Sequence, residues 1–257
     1  MRPVSACLIT RDPGPVLETC LQSLSFADEI VVLDHGSGDD TLALCERFGA
    51  RILTAPWEGF GPAKRRVVAA ARNRWVLSVD ADEEVTPELA AAIAALPDDP
   101  PHPAYAVNRL SRFLGRWIRH GGWHPEWIVR LFDRERAGFD DRRVHESVVV
   151  RGSTGRLDGL LLHRTYDSLD QWLTKQDRYA RLAAEEAVAA GRRVHAWDGP
   201  LHAWHAFWRA WLWQRGFLDG PHGLLLSSLR AWSVLWKYAR IWEATSRSGG
   251  SRKESGA

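Results

Sequence analysis

The 257-residue sequence predicts an α/β fold: a mostly parallel sheet flanked by helices, followed by a C-terminal amphipathic helical region rich in tryptophan. Three observations predict it. Short apolar runs alternate with segments of helical periodicity as far as Leu96, the pattern of parallel strands joined by right-handed crossovers. Each run stops at a cluster of polar residues, and open α/β sheets bind ligands at strand carboxyl ends. Eight of the 14 tryptophans lie between Trp197 and Trp242.

The first run, residues 4–9, ends at Thr10-Arg11-Asp12, and Pro13-Gly14-Pro15 opens a helix with Val16, Leu17, Cys20, Leu21 and Leu24 on one face. The second, 29–33, ends at Asp34-His35-Gly36-Ser37-Gly38-Asp39-Asp40-Thr41, and its helix turns Leu42, Cys45 and Phe48 inward before Gly49. Residues 51–55 form a third strand, followed by a helix with Lys64, Arg65 and Arg66 in its first turn. Cations there oppose the macrodipole unless an anion or acidic cluster lies near; a solvated basic turn is the alternative. The fourth run, 75–79, ends in a cluster of four carboxylates, Asp80, Asp82, Glu83 and Glu84, and delivers Asp80 and Asp82 to the crevice. Carboxylates one residue apart repel, and a divalent cation carrying a diphosphate relieves the repulsion best. The competing reading is an acidic helix N-terminus opened by Thr86-Pro87-Glu88.

After a proline-rich loop, 97–103, strands are expected at 105–109 and 127–132. The aromatic and basic loop between them, with its glycine hinges, reads as an acceptor-binding rim. Residues 144–150 and 157–163 read as an antiparallel pair closing the site side of the sheet. Asp167 or Ser168 caps a helix running to Gly191, with Leu169, Trp172, Leu173, Gln176, Tyr179 and Ala183 on its inner stripe and Lys175, Asp177, Arg181, Glu185 and Glu186 opposite. Trp204, Phe207, Trp208, Trp211 and Leu212 recur at helical spacing. A further helix over 224–242 carries Arg230, Lys237 and Arg240, too much charge for a membrane span. Tryptophan with arginine and lysine on amphipathic helices suits the lipid headgroup interface; docking on the catalytic domain or a second subunit is the alternative. A polar tail, 245–257, is expected to be disordered.

Composition excludes several classes. A net charge of +2 argues against nucleic acid as a partner. Gly36-Ser37-Gly38 lacks a third glycine and sets carboxylates where a dinucleotide's pyrophosphate needs bare backbone N–H groups. Cys7, Cys20 and Cys45 occupy apolar positions without metal-ligand spacing, which reads as core thiols in a reducing compartment. The N-terminus lacks signal-peptide character, so a cytoplasmic location is expected.

The blocks Thr10-Arg-Asp12, Leu33-Asp34-His-Gly-Ser-Gly-Asp39-Asp-Thr41, Gly59-Phe-Gly-Pro-Ala-Lys64 and Leu77-Ser-Val-Asp80-Ala-Asp82-Glu83 resemble the nucleotide-sugar half of family 2 glycosyltransferases, which have the GT-A fold. Asn108-Arg-Leu110, Phe113-Leu-Gly-Arg-Trp-Ile-Arg-His-Gly-Gly-Trp123, Val129-Arg-Leu-Phe132, Val144-His-Glu146 and Arg215-Gly-Phe-Leu-Asp-Gly220 resemble the lipopolysaccharide-core glucosyltransferase subgroup. The resemblance implies inverting transfer of glucose or another hexose from a UDP-sugar, using Mg2+ or Mn2+, to a lipid-linked or lipopolysaccharide-core acceptor. It implies an enzyme peripheral on the inner face of the cell membrane, with the anionic surface as a partner. Carried onto this sequence, Thr10, Asp12 and Asp34 line the uracil and ribose pocket, Asp39 supports that loop, and Lys64 lies close to the nucleotide. Asp80 faces ribose or metal, Asp82 holds the metal, and His145 is a candidate third ligand. Inversion needs a base for the acceptor hydroxyl, with Glu126 favoured over Glu146. Pro13, His35 and Arg65 depart from the family pattern, and Arg65 is a candidate added diphosphate contact.

The domain organisation expected is a catalytic domain over 1–165, with a nucleotide-sugar half to 97 and an acceptor half from 98, then a membrane-associating helical region over 166–244. Two rival functions are a glycosyltransferase acting on protein or soluble glycan and a non-catalytic nucleotide-binding scaffold.

Overall fold

The computed structural model describes residues 2–140, 147–192 and 194–250, with side chains through residue 246. The chain forms two compact units. The first is built from the chain up to Leu110 with Glu126–Arg164, the second from Ser111–Pro125 with the chain from Thr165 onward.

In the first unit β1 (Val4–Thr10), α1 (Val16–Ser23), β2 (Glu29–Asp34), α2 (Thr41–Arg47), β3 (Arg51–Thr54), α3 (Phe60–Ala70) and β4 (Trp75–Ser78) alternate as the sequence predicts. The strands lie in the order β3-β2-β1-β4, all parallel, with Thr10 opposite Asp34 and Asp34 opposite Thr54. Their carboxyl ends therefore share one edge. Both faces are covered, which is why these strands read as apolar runs rather than alternating ones. Ala6, Leu8, Val32 and Leu77 pack with Leu17, Cys20, Leu21 and Leu89 on one face, while Cys7, Val31, Leu33 and Val76 pack with Ala63, Val67 and Val68 on the other. The three cysteines are free and buried, and burial pushes the Cys7 thiol up to about 12 and the Cys45 thiol to about 11.

Beyond β4 the chain continues through β5 (Glu83–Val85), α4 (Pro87–Ala94), β6 (Ala104–Phe113), β7 (Arg116–Trp117), β8 (Glu126–Asp133), β9 (Ala137–Phe139), β10 (Val148–Val150) and β11 (Thr154–Tyr166), with β9 and β10 in a small sheet of their own. The strand order is β4-β8-β6-β11-β5, with β8 antiparallel to both β4 and β6. The expected pairing of 144–150 with 157–163 is not what forms. Within the described residues β10 pairs with β9, and β11 pairs antiparallel with β5, Leu161 opposite Val85 and His163 opposite Glu83. The local partner is cheaper to reach for β10. β11 is free to run past α4, where Gly159 (φ +91°) lets its backbone approach Leu89 so closely that a Cβ would lie 2.3 Å from the Leu89 nitrogen.

In the second unit the end of β6 pairs with β7, Arg112 opposite Trp117. Phe113, Ile118, Tyr166, Trp172 and Leu226 form its main apolar cluster. Ser168 caps α5 (Leu169–Ala189), whose buried residues are Trp172, Ala180, Ala184 and Ala187. The inner stripe thus differs from the expected one: Leu169, Leu173 and Tyr179 are exposed. Small side chains let α5 pack closely on α7 (Gly220–Gly250), and Asp177 faces α7, accepting from Trp236 Nε1 and Arg240 Nη2, both at 2.9 Å. α7 begins before Leu224 and continues past Trp242, with Thr245 Oγ1 donating to the Ile241 carbonyl. Between them lie α6 (Asp198–Trp208), a π-helical turn (Arg209–Trp213) and a 3-10 turn (Gly216–Asp219). The inward residues of α6 are Gly199, Ala203 and Ala206. Of the expected stripe, Trp204 and Leu212 are exposed and Phe207, Trp208 and Trp211 half-buried, so none of it is fully buried; Trp197 and Trp213 beside it also point out, at 75% and 71% exposure. Among the described residues no helix is long and apolar enough to cross a membrane.

Candidate active site

The shared edge of carboxyl ends in the first unit carries most of the predicted site residues. Thr10 ends β1 with its hydroxyl buried and unpartnered. Asp34 ends β2 and is buried; Oδ2 accepts from the N–H groups of Gly36 (2.8 Å) and Ser37 (3.0 Å), and Oδ1 from the Ser37 hydroxyl (2.5 Å). This carboxylate winds its own loop. Asp12, in the left-handed region at φ +45°, accepts from Gly38 N–H at 2.7 Å, and its own N–H donates to Ser37 Oγ at 2.9 Å. Asp39 accepts from the Thr41 hydroxyl and N–H and from Gly14 N–H at 3.3 Å. The Thr41 hydroxyl, more than the backbone donors, holds the Asp39 carboxyl below the usual range. Asp12 and Asp39 thus tie the loop after β1 to the loop after β2. The departure His35 is buried, its Nδ1 2.9 Å from the Ala55 carbonyl and its ring edge-on to Trp57.

The sharper geometry lies after β4. Asp80 N–H donates to Glu83 Oε2 and Glu83 N–H to the Asp80 carbonyl, both at 2.9 Å, closing a tight turn. That turn leads into β5, and helix α4 starts only at Pro87, capped by Thr86. The acidic residues are therefore not a helix N-terminus. Asp80 is gripped from two sides: Lys64 Nζ lies 2.9 Å from Oδ1 and Arg130 Nη2 2.6 Å from Oδ2. Burial raises this carboxyl, but the charges and hydrogen bonds of Arg130 and Lys64 outweigh it and hold the group well below the ordinary range. α3 starts at Phe60, so Lys64, Arg65 and Arg66 lie in its second turn and not, as expected, in its first; Lys64 reaches the acidic cluster and Arg65 is exposed.

Glu83 is completely buried and Arg130 nearly so, joined at 2.6 Å, and the Arg130 guanidinium is held well above its usual value by Asp80 and Glu83 despite burial. Arg109 extends the chain of charges. Its Nη1 is 3.3 Å from Glu83 Oε1, and its Nε and Nη2 donate to the two oxygens of Glu126 at 2.9 and 2.8 Å. Lys64, Arg130 and Arg109 balance Asp80, Glu83 and Glu126, which makes burial of this array affordable. Asp82 stands outside the network, part exposed, with His163 Nε2 3.2 Å from Oδ2. The β5–β11 register and the bond from Arg164 N–H to the Asp82 carbonyl (3.0 Å) put the two side by side.

Sequence reasoning therefore missed Glu83, Arg109, Arg130 and His163. Arg130 left a trace, since an arginine inside Trp127-Ile-Val-Arg-Leu-Phe132 must be buried with a partner. His163 left none, because its position depends on pairing with a strand that was not expected. His145 and Glu146 lie outside the described residues. Among the described residues, no three His, Cys, Asp or Glu side chains group as a metal cage. The pair Asp82–His163 offers one oxygen and one nitrogen donor. That fits a cation taking its remaining ligands from phosphate and water.

A family model described as glycosyl transferase family 2 matches residues 5–154. The lipopolysaccharide core biosynthesis glycosyltransferase LpsC of Rhizobium meliloti (strain 1021) is 27% identical over 263 residues, 92% of this chain and 93% of that protein. An uncharacterized glycosyltransferase of Rickettsia felis is 26% identical, covering 96% of this chain and 92% of its own. Among solved structures, glucosyl-3-phosphoglycerate synthase from Mycobacterium tuberculosis in complex with Mn2+, uridine-diphosphate and phosphoglyceric acid aligns at 26% identity with a TM-score of 0.35. That alignment covers 43% of this chain and 44% of that one, less than half of either length. The family match spans more than half of the sequence and contains the whole strand edge from Thr10 to Asp82: the chain belongs to glycosyltransferase family 2 and has the GT-A fold.

Proposed function

We propose that the enzyme transfers a hexose such as glucose, with inversion, from a UDP-sugar to a lipid-linked or lipopolysaccharide-core acceptor at the inner face of the cell membrane, assisted by Mg2+ or Mn2+. The observation that carries this reading is the division between two carboxylates at one strand end. Asp80 is committed to Lys64 and Arg130, while Asp82 is part exposed beside His163. Asp82 and His163 hold the cation, which when bound stabilises the charge of the leaving diphosphate. Asp80, with lone pairs beyond those its cations use, accepts from a ribose hydroxyl. Thr10 offers an unpartnered hydroxyl beside the loops that Asp12, Asp34 and Asp39 shape for the nucleoside. Lys64 holds Asp80 in place, and Arg65, exposed at the next position of α3, contacts phosphate.

Glu126 takes the proton from the acceptor hydroxyl. It is 40% exposed at its side chain, and each carboxylate oxygen, bonded once to Arg109, keeps a lone pair for the proton. The acceptor class is supported by the name of the Rhizobium relative, and the membrane location by the outward tryptophans of α6 and the turn after it. A thermal-shift panel of nucleotide sugars with and without Mn2+, followed by UDP-release assays, tests the donor chemistry. UDP-sugars should raise Tm more with Mn2+, and Asp82→Asn and His163→Ala should each lower turnover by about two orders of magnitude or more. Absence of a shift with every UDP-sugar, or wild-type turnover in Asp82→Asn, would overturn the reading. Failure to float with anionic vesicles would move the acceptor to soluble glycan or protein.

A further inference from the structure

Glu126 opens β8 opposite Arg109 of β6, and its N–H donates to Asn108 Oδ1 at 3.2 Å. The register therefore fixes where the Glu126 side chain starts. It does not fix where the carboxylate ends, because the side-chain torsions lie between, and a group 40% exposed has room to turn about them. A base must be held to its hydroxyl more closely than that, since a misplacement of about 1 Å costs roughly a hundredfold in rate.

Arg109 supplies the hold. Its Nε and Nη2 donate to different oxygens of Glu126, at 2.9 and 2.8 Å, the fork-to-fork arrangement that sets the plane of a carboxylate as well as its position. Nη1, the other terminal nitrogen, donates to Glu83 Oε1 at 3.3 Å. Glu83 is itself tied down: Oε1 accepts from Arg130 Nη2 at 2.6 Å and Oε2 from the Asp80 N–H at 2.9 Å. The arginine is thus anchored on the turn that carries Asp80 and Asp82. Burial disfavours the Arg109 charge, but the hydrogen bonds to Glu126 and the charges of Glu83 and Glu126 outweigh it and hold the guanidinium above its ordinary value. Folding gains little from the outer half of this chain, because an ion pair with one partner so exposed is screened by solvent. What the outer half does provide is a fixed direction for one carboxylate.

We propose that Arg109 is a positioning residue for the transfer reaction, holding the Glu126 carboxylate at the acceptor hydroxyl and locking it, through Glu83, to the turn that carries the donor-site acids. The proposal rests on Glu126 as the base. It requires the planar fork and not merely the charge, since a lysine ammonium is a point donor that cannot set both oxygens in one plane.

Arg109→Lys tests this, because it keeps the charge and removes the fork. The assay is UDP release from the UDP-sugar that raises Tm most, with water and with rough-type lipopolysaccharide offered as acceptors. Arg109→Lys should lower kcat about tenfold to a hundredfold and leave donor KM within about twofold of wild type. The Tm shift with UDP and Mn2+ should persist, and unchanged far-UV circular dichroism identifies variants that remain folded. Added to Glu126→Gln, Arg109→Lys should lower kcat no further, because a residue that acts only through Glu126 has nothing left to place. A general structural defect would lower it again. Arg109→Ala is the second variant: guanidinium chloride below its denaturing range should restore part of its kcat and none of that lost in Glu126→Gln. Wild-type kcat in a folded Arg109→Lys overturns the proposal, as does the same fold-loss with and without Glu126→Gln, or no guanidinium rescue of Arg109→Ala. Full activity in Glu126→Gln refutes the base itself and takes this proposal with it, whereas an impaired Glu126→Gln beside a fully active Arg109→Lys refutes the positioning role alone.

Discussion

Arg130→Met removes one cation from between two carboxylates. Arg130 Nη2 lies 2.6 Å from Asp80 Oδ2 and 2.6 Å from Glu83 Oε1. At an effective dielectric near 20, a unit pair at that distance is worth about 6 kcal/mol before desolvation is charged against it. Measured losses on breaking buried pairs are about 3–5 kcal/mol. Here each carboxylate keeps a second partner, Lys64 at 2.9 Å for Asp80 and Arg109 at 3.3 Å for Glu83, so the loss belongs near the lower end, about 3 kcal/mol. Urea denaturation at pH 7 should show a midpoint lower by roughly 1 M for a chain of this size. Adding Glu83→Gln to Arg130→Met removes the stranded buried charge and should recover part of the loss, which a cavity effect alone would not. A loss below about 1 kcal/mol, or a double variant less stable than Arg130→Met, would refute the claim that Arg130 neutralises the turn.

Four other outcomes follow from the same geometry. Glu126→Gln should lower kcat by about 10²–10⁴-fold with little change in donor KM; steady-state UDP release checks it, and full activity would move the base to Glu146. The Asp177 carboxyl is held down to about 2 by the Trp236 indole N–H, then by Arg181 and Arg240. Its folded value lies below the unfolded one, so its contribution is complete above about pH 4 and is lost as pH falls towards about 2. Asp177→Asn should flatten that acid limb in a Tm-against-pH series, and an unchanged slope would count against the α5–α7 link. Gly159→Ala should cost about 2 kcal/mol or more in urea titration because its Cβ meets the Leu89 backbone, whereas Gly138→Ala, with open space, should stay within about 0.5 kcal/mol. Trp204→Ser with Trp213→Ser should leave Tm nearly unchanged, since both rings are outside the core, while reducing flotation with anionic vesicles.

The sequence by itself determined the parallel half of the sheet, its helices and the placement of Thr10, Asp34 and Asp80 at one edge. Those features rest on local periodicity and on short crossovers of one hand, which act within a few tens of residues. Tertiary structure alone decided what lies beside each acid. Arg109, Arg130 and His163 reach the Asp80–Glu83 turn from β6, β8 and β11, and nothing local sets the register that brings them there. The same holds in the second unit, where helical spacing announced α5 and α6 but not which face turns inward. Close packing against α7 selected Ala180, Ala184 and Ala187 of α5 and Ala203 and Ala206 of α6 and left Trp204 outside, because backbone approach rewards small side chains and a large indole there would hold the helices apart.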